Sequence, residues 1–407
     1  MNEVEYNKKI ELSNKIYPIF SGISSDLLFW VAINTIFLTV VKGLSAAQIS
    51  SLTAIGNFTI ILTYPLLFKI IKKIGNIKSI KIGTILLLCS SLLFTFSKSY
   101  FFILIGQVMY DIAFVFKNMD NVILRKNLKY ENKEKDYIKI QNKSSFIYSV
   151  LTMIIAFTAG FLFNINNYLP MILCILFCTL NIFLSGFLYE YKNNENNKST
   201  VRNVTDKLPI SKLIFWILFL YATLYATIDL GQTNSRLLIQ YELSSIFEVN
   251  KVSILLSFII AISRIVRVVS DYLSTKYCKV ENKRILYKIG YALIIAFTFI
   301  ITGKLAKLEM IGIALMSFGF FIFLGVRDMF ANYMKTLLLN VCREEYHEQA
   351  IAQLILARRI GKFSTSGLIT LLLLKLDLIY VMIFLLIISI LNILIIRKIC
   401  ELLKNKN

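Results

Sequence analysis

Apolar runs of about twenty residues alternate with short polar links along the whole chain. A helix needs roughly 20 mostly apolar residues to cross the hydrocarbon core of a bilayer. Twelve runs come close to that length. They lie at 17–41, 49–71, 80–96, 101–124, 145–163 and 169–189, and at 213–240, 252–273, 285–303, 311–337, 350–373 and 378–396. The pattern predicts an all-α polytopic membrane protein of twelve transmembrane helices. The longest polar stretch, 191–212, is rich in Asn and Lys and divides the spans six and six. The expected organisation is an N-terminal six-helix bundle over 1–190, a cytoplasmic central linker over 191–212 and a C-terminal six-helix bundle over 213–407.

Composition agrees: 57% of the 407 residues are hydrophobic and the mean hydropathy is +0.68, beyond a soluble domain. The net charge of +21 would point to nucleic acid in a soluble protein, but its placement says otherwise. Lys and Arg crowd the N-terminal segment, alternate links such as KIIKKIGNIKSIK and LRKNLKYENKEKDYIKIQNK, and the tail RKICELLKNKN. The opposite links, such as KGLSAAQ, SKSY and EVNK, are short and carry few bases. Positive links stay in the cytoplasm, so both termini are expected there, in the inner membrane of a bacterium. The expected partners are the lipid bilayer, a small-molecule substrate and protons, with no nucleic acid, no cofactor and a monomeric state. The six cysteines are scattered without a CxxC pair, and the single histidine, His347, lies in a charged link, so no metal site is expected.

The two halves echo each other. Asp26 in the first span precedes the link GLSAAQISSL much as Asp229 in the seventh precedes FEVNKVSILL. Likewise KNMDNVILRKNLKYENKE at the end of the fourth span resembles ANYMKTLLLNVCREEYHE at the end of the tenth. Twelve spans, a long central link and a repeat of six resemble the major facilitator superfamily. Its signature in the link after span 2 is Gly-x3-Asp-Arg/Lys-x-Gly-Arg-Arg/Lys. Here FKIIKKIGNIK keeps Gly75 and the following bases, with Lys72 where the Asp stands in the family and Phe68 for the first Gly. In the mirrored link RVVSDYLSTKY, Asp271 matches the Asp and Arg267 stands at the Gly. The resemblance assigns gating roles to Gly75, Arg267 and Asp271. The family's Gly-Pro antiporter run is absent from span 5, where IIAFTAGFLF has Gly160 and no Pro, which argues against the usual drug/proton antiport subfamily. The resemblance implies two bundles that alternately open to either side, with spans 1, 4, 7 and 10 lining the pathway.

Charge placement inside the spans fits that implication. A charge at mid-bilayer costs at least ~2.5–3.5 kcal/mol, so it should face partners or water. The ionisable residues singled out are Asp26, Asp111, Lys117, Asp120, Asp229, Arg236, Arg264, Arg267, Arg327 and Asp328. Of these, only Arg264 and Arg267, both in span 8, lie outside spans 1, 4, 7 and 10. Asp229, Gln232, Thr233, Arg236 and Gln240 share one helical face, as do Asp26, Trp30 and Asn34. Lys117 and Asp120 stand at pairing distance along a helix. Trp30, Asn34, Tyr110, Tyr221, Tyr225 and Gln232 are candidate substrate-lining residues. The acids nearly balance the bases in this set, which points to a zwitterionic or amphiphilic solute.

The function expected is secondary transport of a small organic solute by alternating access, as proton-coupled efflux of a drug, antibiotic or metabolite. Asp26 or Asp229 would carry the proton, with Arg236 or Lys117 as the switching partner. Proton-coupled nutrient uptake is the alternative, and a non-transporting sensor or immunity protein is the alternative of another class. No H-x4-D, H-E-x-x-H or G-x-S-x-G motif supports an enzyme, and no phosphate loop supports an ATP motor.

Overall fold

The computed structural model describes residues 3–191, 209–277, 284–306, 309–343 and 346–404. Most of the central linker and Cys278 lie outside the described residues. The described residues form fourteen α-helices. They are α1 (Glu3–Ile23), α2 (Leu28–Ile36), α3 (Ala46–Ile74), α4 (Asn76–Phe96), α5 (Tyr100–Lys117), α6 (Asp120–Tyr130) and α7 (Tyr137–Ile165). The series continues with α8 (Leu169–Ser185), α9 (Lys212–Ile246), α10 (Val249–Tyr277), α11 (Arg284–Leu305), α12 (Glu309–Val341), α13 (His347–Leu373) and α14 (Leu378–Lys404).

These are the twelve spans, because two of them are interrupted. The first is α1 and α2 followed by a π-turn over Phe37–Val41, and the fourth is α5 and α6. Ten helical stretches are long and apolar enough to cross a membrane, and α8 is a shorter apolar helix. The remaining span, the eleventh in chain order, is α13, which carries Arg358, Arg359 and Lys362 in its middle. Helix is what an apolar solvent imposes: with no water to satisfy the backbone, each N–H and C=O must pair within its own segment. Leu62, Phe183, Leu371 and Leu394 are exposed, as befits side chains whose solvent is lipid.

The break in the first span has a local cause. Ser25 donates to the Ser21 carbonyl at 2.6 Å, and the Asp26 carboxylate accepts from the Leu27 amide at 2.8 Å. Ser and Asp side chains compete for backbone groups and so loosen a helical ladder. At the turn between α3 and α4, Gly75 takes φ +84°, a conformation that suits glycine.

The chain divides into two compact units. One comprises Met1–Asn34 with Leu62–Asn203, and the other Thr35–Ile61 with Val204–Asn407. In the first unit α4 packs on α5 and α8, and α1 packs on α7. Its core joins Phe20, Ile80, Ile123 and Leu188, with Tyr17, Leu124 and Leu128 as a second cluster.

In the second unit α9 is central, packed by α12, α13 and α14, while α10 and α11 pack on α12. Phe297 of α11 and Phe323 of α12 meet at 4.8 Å between ring centroids, against Gly231 of α9. Residues 35–61 join this unit through side chains. Arg236 donates to Thr35 at 3.0 Å, Arg359 donates to Asn57 at 3.0 Å, and Ser50 donates to the Ser366 carbonyl at 3.2 Å.

Candidate functional site

In the second unit, Asp229 of α9 is the centre of a charged constellation. One oxygen pairs with Lys362 of α13, and the other lies 4.0 Å from Nη1 of Arg327 on α12. The same Nη1 reaches Oε1 of Gln232 at 3.5 Å. Arg327 Nε lies 3.4 Å from Asp328, whose other oxygen accepts from Arg267 Nε on α10 at 2.5 Å. Four helices are thus tied through two carboxylates.

Asp229, Arg327 and Lys362 keep 19%, 22% and 13% of their side-chain surface exposed. Charges in the middle of a membrane helix that retain exposed surface belong to a wetted path rather than to lipid.

An aromatic wall stands beside the charges. The guanidinium of Arg358 lies 4.3 Å from the centroid of the Tyr225 ring, a cation–π distance. Tyr225 contacts Tyr221, and Tyr221 stacks on Phe330 at 5.8 Å. Arg358 Nε is buried and donates to no acceptor among the described residues. What brings α13 this close is Gly361: a Cβ there would run into the Ala222 backbone of α9. Small residues at such crossings let membrane helices approach each other.

The first unit holds a separate polar set. Asp26, at the break between α1 and α2, accepts from the Tyr110 hydroxyl at 2.5 Å. Trp30 is buried and stacks face to face on Phe94 at 4.2 Å, so its ring is engaged in packing. Asp111 accepts from Gln107 at 2.8 Å. Lys117 and Asp120 pair at 3.3 Å, both buried, where α5 gives way to α6. Asn121, Gln141 and Tyr17 extend that network by hydrogen bonds.

Several expected groupings come together and others do not. Asp229, Gln232, Tyr221, Tyr225, Arg327 and Asp328 share the constellation of the second unit. Arg236 does not: it points two turns away and donates to Thr35. Nor does Lys117 serve Asp26 or Asp229, since its partner is Asp120. Arg267 bridges to Asp328, while the side chain of Asp271 lies outside the described residues. Asn34 ends the contribution of the first span to the first unit and is half-buried.

Sequence reasoning weights spans 1, 4, 7 and 10 and so misses Arg358 and Lys362. The signal that finds them is LARRIGK, three bases in the middle of an otherwise apolar run. Their presence corrects the near-balance of charge. Among the described side chains, Arg267, Arg327, Arg358 and Lys362 stand around Asp229 and Asp328, so four bases face two acids.

The fold has close counterparts. A bacterial homologue of the lysosomal transporter Spinster, in an inward-facing unoccupied conformation, matches with TM-score 0.66 and 13% identity, covering 98% of this chain and 99% of that one. The nucleoside transporter NupG matches with TM-score 0.68 and 11% identity over 97% and 99%. A bacterial homologue of the iron transporter ferroportin, inward-facing, matches with TM-score 0.64 and 15% identity over 98% and 99%. No curated protein sequence matches the chain. The family model described as Major Facilitator Superfamily matches residues 19–364. With twelve spans, buried charge in the membrane and that match over most of its length, the chain is a multi-pass membrane transporter that belongs to the Major Facilitator Superfamily.

Proposed function

We propose that the protein is a proton-coupled secondary transporter of a small organic solute, with Asp229 as the group that takes the proton. The observation that carries this reading is the sharing of one carboxylate between Lys362 and Arg327, bases from two other helices, in a half-buried place. Such a carboxylate has two states. Ionised, it binds α13 and α12 to α9. Protonated, it loses most of its hold on both bases.

The groups that face it are Arg327 and Asp328 from α12 and Arg358 and Lys362 from α13, with Arg267 of α10 acting through Asp328. The charged contact of α11 to α9, Lys304 with Glu242, lies thirteen residues along α9 from Asp229; nearer to it, Phe297 of α11 packs against Gly231 and Asn392 of α14 accepts from Thr223. Arg236 is replaced by Lys362 as the switching partner in this reading. Asp26, held by Tyr110, is the corresponding acid of the first unit.

The working organisation is a monomer of six plus six spans in the inner membrane, and the placement of Lys and Arg supports cytoplasmic termini. Export of a drug, antibiotic or metabolite is the expectation from the sequence. Uptake by symport is the alternative.

The test is accumulation of a panel of drugs and metabolites in proteoliposomes under an imposed pH gradient, for the wild type and Asp229→Asn. Gradient-driven movement of a compound that the variant no longer couples to protons is the expected result. Gradient dependence that survives in full in Asp229→Asn would overturn the role of Asp229. Movement of nothing by the wild type would favour a sensor.

A further inference from the structure

We infer that the solute is an organic oxyanion, a carboxylate or phosphate monoester on an apolar body, and that it binds in the second unit in place of Asp229 on Lys362 and Arg327. The inference rests on the transporter reading above and names its substrate class.

Charge is the first support. Around Asp229 and Asp328 stand Arg267, Arg327, Arg358 and Lys362, which among the described side chains is four bases to two acids. Holding more bases than acids inside a membrane is costly, and an anionic solute offsets that cost. The second support is a donor without an acceptor. Nε of Arg358 is buried and makes no hydrogen bond among the described residues, although its guanidinium is fixed over the Tyr225 ring. An unmade hydrogen bond from a charged group is expensive, and an arriving oxyanion would supply the acceptor. Third, the wall beside it is aromatic: Tyr225, Tyr221 and Phe330. A planar or apolar body attached to the anion fits against such rings.

The occupancy of Lys362 and Arg327 then sets the coupling. In the empty carrier, the Asp229 carboxylate neutralises them. When the solute anion takes them, Asp229 loses its counter-charges and takes one proton from the water on the open side. On release at the other side, the anion leaves, Asp229 gives its proton to that side and pairs again with Lys362. One anion and one proton therefore travel in the same direction; with a carboxylate the pair carries no net charge, and with a phosphate dianion it carries one negative charge. Under an inward proton gradient this drives uptake, the reverse of the export expected from the sequence.

The test is binding to the purified full chain in detergent, with no gradient, read by thermal stabilisation. The probes are benzoate, phenyl phosphate, octanoate and hexyl phosphate, with benzamide and benzylamine as neutral and cationic controls. At least one anion should bind, and the controls should not. Carboxylates against phosphate esters decide which oxyanion is preferred. Lys362→Gln and Arg358→Gln should each weaken binding by about tenfold or more, the loss of one charged hydrogen bond. Lys362→Arg should retain it.

Asp229→Asn should bind the anion at least as tightly as the wild type, because the competing carboxylate is gone. A pH indicator should record proton uptake on anion binding by the wild type and none by that variant. Failure of all four anions, equal binding of benzylamine, or weaker binding by a folded Asp229→Asn would overturn the inference. Because no gradient is applied, these outcomes are separate from failure of proton-driven transport itself.

Discussion

Gly361→Ala tests how the base-rich helix reaches its acid. Built on the backbone, the new methyl group falls on the Ala222 peptide of α9, with the carbonyl carbon at 2.6 Å and Cα at 2.9 Å. Both obstacles are backbone, which no rotamer change can move. Ordinary contact needs roughly 3.5–4.0 Å, so α13 must part from α9 by on the order of 1 Å. Overpacking of this kind costs about 1–3 kcal/mol. For a chain of 407 residues that lowers the unfolding midpoint by only about 1–4 °C.

The functional effect should be larger. Lys362 and Arg358 ride on the same helix, so the Lys362–Asp229 pair opens and Arg358 moves off the Tyr225 ring. Gly367→Ala is the internal control: on the same helix, its new methyl group would meet nothing within 4 Å. Thermal unfolding in detergent and pH-driven flux in proteoliposomes should show Gly361→Ala slightly less stable and reduced in flux by about tenfold or more, the worth of one charged hydrogen bond. Gly367→Ala should match the wild type in both. Equal midpoints and equal flux for the two variants would refute the argument that Gly361 places the site.

Two further predictions concern the first unit. Lys117→Ala leaves Asp120 as a buried charge without its cation, so it should destabilise by about 3–5 kcal/mol, whereas the double change Lys117→Met with Asp120→Leu should cost much less; unfolding midpoints of the two variants decide. Tyr110→Phe removes the hydroxyl that Asp26 accepts from at 2.5 Å. If Asp26 takes part in transport, pH-driven flux should fall by roughly tenfold, the worth of one charged hydrogen bond, with the unfolding midpoint little changed because Phe94 and Phe114 still hold the ring in place.

The spans were legible because bilayer thickness writes itself into the length of apolar runs, and their number and order follow from that alone. Helix ends were less so: α9 runs to Ile246 and α12 to Val341, past the apolar limits of 240 and 337, since helices continue into the interface where polar side chains are solvated. The breaks at Asp26 and at Asn118–Met119 were not legible, because one Ser or Asp is compatible with either an intact or an interrupted helix.

Within the site, Asp229, Gln232, Arg327 and Asp328 could be found as polar exceptions on apolar helices. Their partners could not. Helical periodicity relates residues of one helix, so it offered Arg236 as the mate of Asp229. The observed mate, Lys362, comes from a helix more than a hundred residues later in the chain.

The interruptions differ between the two units, and that has a mechanical meaning. Asp26 sits at a joint between two short helices, and Lys117 and Asp120 flank another. Their counterparts Asp229, Arg327 and Asp328 lie within unbroken helices of 35 and 33 residues. A jointed rod bends at its joint, while a continuous one transmits a push along its length. The first unit is therefore the compliant half of this transporter and the second the stiff one. Within the first unit, bending of the first and fourth spans would collect at these two joints, whereas α9 and α12 of the second unit offer no such hinge.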